Sequence, residues 1–360
     1  MSLLGPYVHS IDPIIGTIFG VHLWWYGLSY TLGFLNSHLF VRRRQNQLGL
    51  SLQSVYALSL FLAGGVLLGG RFVEVAFYEW PFYREHLRLI PAVWLGGMAT
   101  HGLLLGGLVG VWLFCASHRK PFLRVTDALA IPAAFILGVG RLGNFIDGQI
   151  VGSATSVWWA VRFPDAEGFR HAVVLYDGIK NLLIIPVLMC AARAKLPTGA
   201  PTGIFLFLYG FLRIFVDLFR EYPTSLLGLA TGQALNILLA VAGSVLLLVR
   251  FRRDRGDAEP VAAKDASPRE DPSLCDLGVK NPVPQGGLAW RRITLAALLL
   301  FSLVMPSDWT QDVPARYGKR HAGLHHSVLY PAIDTSPKPA RASGGPNKGP
   351  ARSATQPALP

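Results

Sequence analysis

The chain has 360 residues, of which 51% are hydrophobic and only 15% charged. A soluble domain carries about a quarter charged residues, so that class is excluded, and several apolar runs approach the roughly 20 residues a helix needs to cross a bilayer. The net charge of +12 does not point to nucleic acid, because the cations gather at the ends of the apolar runs and in the C-terminal tail, where membrane topology accounts for them.

In chain order, the N-terminal stretch MSLLGPYVHSIDPIIG lacks a basic n-region and a small-residue cleavage site, so the first apolar run is expected to be retained. Seven spans are predicted, at about 15–40, 53–76, 91–116, 125–146, 173–192, 202–220 and 228–249. Lys and Arg alternate across them. Arg42, Arg43 and Arg44 follow the first span, Arg119, Lys120 and Arg124 the third, Arg193 and Lys195 the fifth, and Arg250, Arg252, Arg253 and Arg255 the seventh. The positive-inside rule then sets the N-terminus outside and residue 250 inside. The expected fold is an all-α polytopic membrane protein with seven transmembrane helices, N-terminus out, and a short eighth hydrophobic segment as a further candidate.

Residues 1–250 form the seven-span domain. Residues 251–287, rich in Pro, Ala, Asp and Arg, are expected to be a disordered cytoplasmic linker. The eighth segment, within 288–306, has only thirteen apolar residues at 293–305; it could cross with its flanks, lie at the interface or pack on the bundle. Residues 307–360 are a low-complexity tail, in which the adjacent pair His325 and His326 is too weak a signal for a metal site. Cys115, Cys190 and Cys275 are far apart and show neither metal-ligand spacing nor a disulfide framework; the first two are expected to be buried small apolar residues.

Polar groups inside apolar spans are costly and mark sites. The fourth span ends in G138-V-G-R-L-G-N-F-I-D-G-Q-I-V-G152. Its glycines Gly138, Gly140 and Gly143 spell a dinucleotide fingerprint, but no strand precedes them, so close helix packing is their expected use. Arg141, Asn144 and Gly148 share a helical face. On the first span, Tyr26 is expected near mid-membrane. On the third, His101 is roughly ten residues in from outside, about 15 Å at 1.5 Å per residue; it is either a buried hydrogen-bonded histidine or a proton-transfer group. The sixth span carries Tyr209, Arg213, Asp217 and Arg220 at i, i+4, i+8 and i+11, one polar stripe on an apolar helix. Two arginines against one aspartate suit an anionic ligand, and guanidinium forks match phosphate oxygens. Arg141 and Arg213 fall in the middle or outer half, within reach of an outer-leaflet phosphate.

These residues resemble a known family. The segment 140–152 resembles the signature of prolipoprotein diacylglyceryl transferases, and further pieces follow in that family's order: W25-Y-G-L-S-Y30, G69-G-R71, H101-G102, Y209-G-F-L-R213 with F219-R-E221, and G232-Q233. The resemblance covers residues 1–250. It implies transfer of a diacylglyceryl group from phosphatidylglycerol to the lipobox cysteine thiol in the signal peptide of a prolipoprotein. A thioether forms, glycerol phosphate leaves, and neither metal nor organic cofactor takes part. It further implies a multi-pass protein of the bacterial cytoplasmic (inner) membrane, with no nucleic-acid partner. By position, His101 would assist thiol deprotonation, Arg141 and Asn144 would hold the head group, and Arg213 would meet the departing phosphate. Tyr26, Tyr209 and Gly152 match further important positions, and Asp147, Gln149 and Arg220 complete the substrate-binding set.

The chain departs from the family pattern at D147-G-Q149, where the signature reads Asn-Gly-Glu, so a carboxylate has become an amide. Asp147 is expected to supply the displaced charge. Residues two apart point to nearly opposite helical faces, so this requires Gly148 to break the helix. A second motif survives only as H171-A-V-V-L-Y-D177. The alternatives are a divergent paralogue with an altered lipid or acceptor, or without catalysis, and, more remotely, a transporter.

Overall fold

A computed structural model describes residues 6–194, 196–220, 225–226, 229–257, 286–307 and 312–333; the side chains of residues 100–101, 225–226, 229–232, 255–257 and 286 lie outside that description. The protein is mostly helical. Among the described residues, five helices are long and apolar enough to cross a membrane: Leu52–Tyr78, Phe122–Asp147, Val173–Arg193, Ala200–Asp217 and Gln233–Asp254.

Residues 6–24 are not helical. A short strand β1 (Tyr7–Val8) is followed by a hairpin of β2 (Ile14–Ile18) and β3 (Val21–Trp24). Phe19 and Gly20 close the turn with φ of 50° and 79°, the paired left-handed geometry that a two-residue hairpin loop demands. Helix α1 (Trp25–Arg43) therefore starts at Trp25 rather than at residue 15. Tyr26 sits in its first turn and not midway along a span. The β-branched run Ile14, Ile15, Thr17, Ile18 and Val21 favours the strands.

Helix α2 (Leu52–Val73) runs on through a π-turn, Glu74–Tyr78, to the short α3 (Trp80–Tyr83). Two 3₁₀ turns, Leu87–Leu89 and Val93–Leu95, then lead to α4 (Thr100–His118). The first nine residues of the predicted span at 91–116 thus precede its helix, and His101 lies in the first turn of that helix rather than ten residues in. One side chain organises that loop. Arg71, buried at the end of α2, donates to the carbonyls of Ile90 (2.7 Å), Gly96 (2.6 Å), Gly97 (3.0 Å) and Leu89 (2.7 Å), and at 3.5 Å to Ala92. Satisfying so many main-chain acceptors with one guanidinium keeps an irregular segment buried.

Helices α2 and α4 meet backbone to backbone. A Cβ built on Gly106 would lie 2.8 Å from the Gly69 Cα, and one on Gly69 only 2.6 Å from the Gly106 Cα. Small residues permit this approach in a bundle that lacks a hydrophobic force between helices. The glycines of the fingerprint are used in the same way: Gly138 faces Leu182, Gly140 faces the Tyr30 ring, and Gly143 faces Tyr26 and Ser29.

Helix α5 (Phe122–Asp147) packs between α1, α6 (Val173–Arg193) and α7 (Ala200–Asp217). The short β4 (Val161–Arg162), in the loop before α6, pairs in parallel with β1. A minimal hairpin, β5 (Ser225–Leu226) and β6 (Leu229–Ala230), precedes α8 (Thr231–Asp257), which lies along α7. Asp127 on α5 fixes the height of α7 by accepting the Gly199 and Thr202 amides at 2.6 and 3.0 Å, which caps its N-terminus. Cys115 is buried in an apolar cluster, whereas Cys190 is exposed, contrary to its expected burial; Cys275 lies outside the described residues.

Residues 286–307 and 312–333 are folded onto the bundle. Helix α9 (Gly286–Ser302) packs along α1 and α2, and α10 (Val313–Tyr317) follows it. Val313, Tyr317, Leu324, Tyr330 and Ile333 share a buried cluster with Ile14, Trp24, Ala92 and Leu95. The Pro- and Ala-rich composition hides these aromatic anchors when it is averaged over 307–360.

Candidate active site

The site forms where α5, α6 and α7 meet. Arg141 projects from α5 and donates through Nε to Asp177 Oδ2 on α6 at 2.6 Å, and through a terminal nitrogen to Asn144 Oδ1 at 3.2 Å. Arg213, on α7, pairs with the same Asp177 oxygen and with Asp217 Oδ1 at 3.1 Å. Lys180, one turn beyond Asp177, reaches its other oxygen at 3.1 Å. The Lys180 ammonium also lies 4.1 Å from the centre of the Tyr209 ring, a cation–π contact. Asn236 on α8 donates to Asp217 Oδ2 at 2.7 Å. Gly178 makes the convergence of α5 and α6 feasible, since a Cβ there would lie 3.2 Å from Arg141 Cβ.

The charge balance is the informative feature. Three cations, Arg141, Lys180 and Arg213, face two carboxylates, Asp177 and Asp217, and none of their side chains is more than 11% exposed. A buried cation left unmatched is costly, so among the described residues the arrangement carries one positive charge in excess until an anion enters.

Arg141, Asn144, Tyr209, Arg213 and Asp217 thus lie together where these helices meet. Neither Asp177 nor Lys180 is among the residues expected from the sequence. The signal was present, however: an Asp and a Lys three apart inside the apolar run 173–192 is the same anomaly that marks Arg141. The carboxylate shared by the two arginines is Asp177 and not Asp147. Gly148 does end α5, with φ 74° and ψ 26°, but Asp147 Oδ2 accepts the Ser307 amide at 2.9 Å instead. Asp177 needs no helix break to reach Arg141, because it faces α5 directly from α6.

The remaining expected residues lie around this cluster. The backbone N–H of Gln149 donates to the Asn144 main-chain carbonyl at 3.0 Å, which ties the loop after α5 to the site. Gly152 bonds the His171 carbonyl at 3.1 Å and bridges to the backbone of Arg220; a Cβ at 152 would come within 2.6 Å of that carbonyl, so only glycine fits. Helix α7 ends at Asp217, which takes Arg220 out of the helical stripe and into this bridge. The Tyr26 hydroxyl donates to that of Tyr30 at 3.2 Å, beside Gly143 and Gly140. The backbone of His101 is part of α4, but its side chain lies outside the described residues. A cavity of about 360 Å³ opens beside the end of α7, lined by Trp159, His171, Tyr176, Phe215, Val216 and Phe219, and it is almost wholly apolar.

A sequence model of the family described as prolipoprotein diacylglyceryl transferase matches residues 13–249, well over half of the chain. The chain belongs to the prolipoprotein diacylglyceryl transferase family. Its relatives include three proteins named phosphatidylglycerol–prolipoprotein diacylglyceryl transferase. That of Geobacter sulfurreducens is 37% identical over 257 residues, 68% of this chain and 98% of the relative. That of Nitrosomonas europaea is 36% identical over 274 residues, 72% of this chain and 96% of the relative. That of Pasteurella multocida is 35% identical over 254 residues, 68% of this chain and 93% of the relative. In each case a relative of nearly full length aligns with about 70% of this chain, and the family match stops before α9. In this chain Asp177 on α6 balances both Arg141 and Arg213.

Proposed function

We propose that this diacylglyceryl transferase takes phosphatidylglycerol as donor and the lipobox cysteine of a prolipoprotein signal peptide as acceptor, in the inner membrane of a bacterium. The cysteine sulfur attacks the glyceryl carbon that carries the phosphate. A carbon–sulfur bond forms, the carbon–oxygen bond to phosphorus breaks, and its electron pair leaves on glycerol phosphate. The observation that carries this reading is the buried excess of one cation around Asp177. The donor brings a negative phosphate into that excess, and charge on the leaving oxygen is stabilised by preorganised guanidinium donors. A free thiol ionises near pH 8.5 and needs a base at neutral pH; His101 has that role by position in the family motif.

The topology supports the same assignment. Arg42, Arg43, Arg44, Lys120, Arg124 and Arg250 gather at one end of the bundle, where Lys120 and Arg124 bond the Gly49 and Gln47 carbonyls. That end is cytoplasmic by the positive-inside rule. With α1 and α4 also counted as spans, this reading has seven helices with the hairpin and the 148–172 loop outside, and an apolar signal peptide would lie along the groove between Trp159 and Phe219. The test is complementation of a bacterium depleted of its own transferase by the wild type beside Arg141→Ala and Arg213→Ala. Rescue by the wild type alone is expected. Failure of a well-expressed, membrane-inserted wild type would overturn the reading in favour of a paralogue with another donor or acceptor.

A further inference from the structure

Residues 286–307 and 312–333, beyond the family match, pack against the helices that carry the site. Helix α9 has 17 residues, about 26 Å at 1.5 Å per residue, close to the roughly 30 Å hydrocarbon thickness. It is anchored at both ends of the bundle. At its start, Arg291 donates to the Gln53 carbonyl at 2.7 Å, beside the turn between α1 and α2. At its finish, the Leu303 carbonyl accepts the Trp24 amide at 2.9 Å, and the buried Ser302 hydroxyl lies 2.6 Å from Thr31 Oγ1. It therefore traverses the same depth as α1, in the opposite direction.

The chain that emerges beyond α9 reaches the end of α5. Arg320 donates to the Asp147 carbonyl at 2.8 Å and to the Ile146 carbonyl at 3.4 Å. The last carbonyls of a helix have no partner within it and carry the negative end of its dipole, so a guanidinium suits them. A Cβ on Gly148 would lie 3.3 Å from the same guanidinium. Next to it, Ser307 donates its amide to Asp147 Oδ2. These contacts clamp the turn that follows Arg141 and Asn144 and leads to Gln149.

We propose that residues 286–333 are part of the working enzyme: α9 crosses the bilayer as an additional span, and Arg320 is a positioning residue that holds the end of α5, and with it the Arg141–Asn144 face. The role of Arg320 rests on the transferase reading; the crossing does not. The full-length protein is assayed in detergent with phosphatidylglycerol and a lipobox peptide, and its thermal unfolding is measured in parallel. Arg320→Ala should lower kcat by about 10- to 100-fold, as a displaced catalytic face would, with little change in KM and a melting temperature near that of the wild type. Arg320→Lys, which keeps a charged donor, should recover much of the loss. Arg316→Ala, which breaks the 3.3 Å pair with Asp165, should stay near wild type. Wild-type rates in Arg320→Ala, or a loss that follows the melting temperature and that lysine does not repair, would overturn the positioning role. A wild type inactive in this assay would overturn the transferase reading and that role together. For the crossing, Lys319→Cys is placed in a chain whose native cysteines are replaced by serine, and intact cells whose outer membrane has been permeabilised are exposed to an impermeant maleimide. Labelling without lysis is expected; labelling only after lysis would overturn the crossing.

Discussion

Asp177 on α6 is the counter-ion of both Arg141 on α5 and Arg213 on α7, through a single carboxylate oxygen. Three helices are thus joined at one buried group, and everything that follows for the site depends on its charge.

Asp177→Asn should destabilise the protein by about 3–5 kcal/mol, the usual cost of leaving buried charges without a partner. Adding Lys180→Met to that variant removes one of the orphaned cations and should recover part of the loss. Thermal unfolding in detergent checks both. A double variant no more stable than Asp177→Asn alone would argue against charge balance as the organising feature.

Arg71 is expected to act through loop structure. Each hydrogen bond from a charged donor contributes about 1.5–3 kcal/mol, and Arg71→Lys cannot reproduce the spread of a guanidinium over Leu89, Ile90, Gly96 and Gly97. Amide exchange over residues 87–97 should therefore rise in Arg71→Lys and Arg71→Ala alike. Exchange that remains slow in the lysine variant would show that charge alone suffices.

The α2–α4 contact makes a prediction with an internal control. Gly106→Val should greatly reduce the yield of folded protein, since its side chain would have to displace the α2 backbone. Gly64→Ala, on α2 but with nothing within 4 Å of the new Cβ, should be neutral or slightly stabilising, because alanine is the better helix former by about 1 kcal/mol. Folded yield by size-exclusion chromatography separates the two outcomes.

Acid should loosen the face of the protein that carries the hairpin. Burial holds His9 below its ordinary value of 6.5, with a smaller contribution from Arg320, although its bond to the Phe145 carbonyl pulls the other way. Burial, helped by His321, likewise lowers His22, against the pull of Asp12. A histidine whose folded pKa is depressed binds protons more readily when unfolded. Its contribution is fully present above about pH 6.5 and is lost as the pH falls below that value. The melting temperature should be flat between about pH 7 and 8 and should drop towards pH 5. His9→Gln, which can still donate to Phe145 without titrating, should flatten that drop; an unchanged slope would assign it to other groups.

Sequence alone was enough for the class of fold, the membrane helices α2, α5 and α6 to within a few residues, and the family, because apolar run length and an isolated buried arginine are local signals. It also marked Arg141 and Asn144 on one helix and Tyr209, Arg213 and Asp217 on another, since helical spacing puts each set on a face that must find partners. What it could not supply were relations between segments far apart in the chain. Residues 14–24 form a hairpin rather than the start of a span because a two-residue left-handed turn folds them back, with Trp24 and Ile14 packed against the distant Tyr317 and Tyr330. The substitute carboxylate is Asp177 rather than Asp147 because α6, not the next turn of α5, lies against Arg141. Residues 312–333 look like filler by composition, yet a few aromatic anchors hold them to Ile14, Trp24 and Leu95, and Arg320 binds them to the end of α5. Side-chain burial of that kind depends on which surfaces meet, and only the tertiary structure decides it.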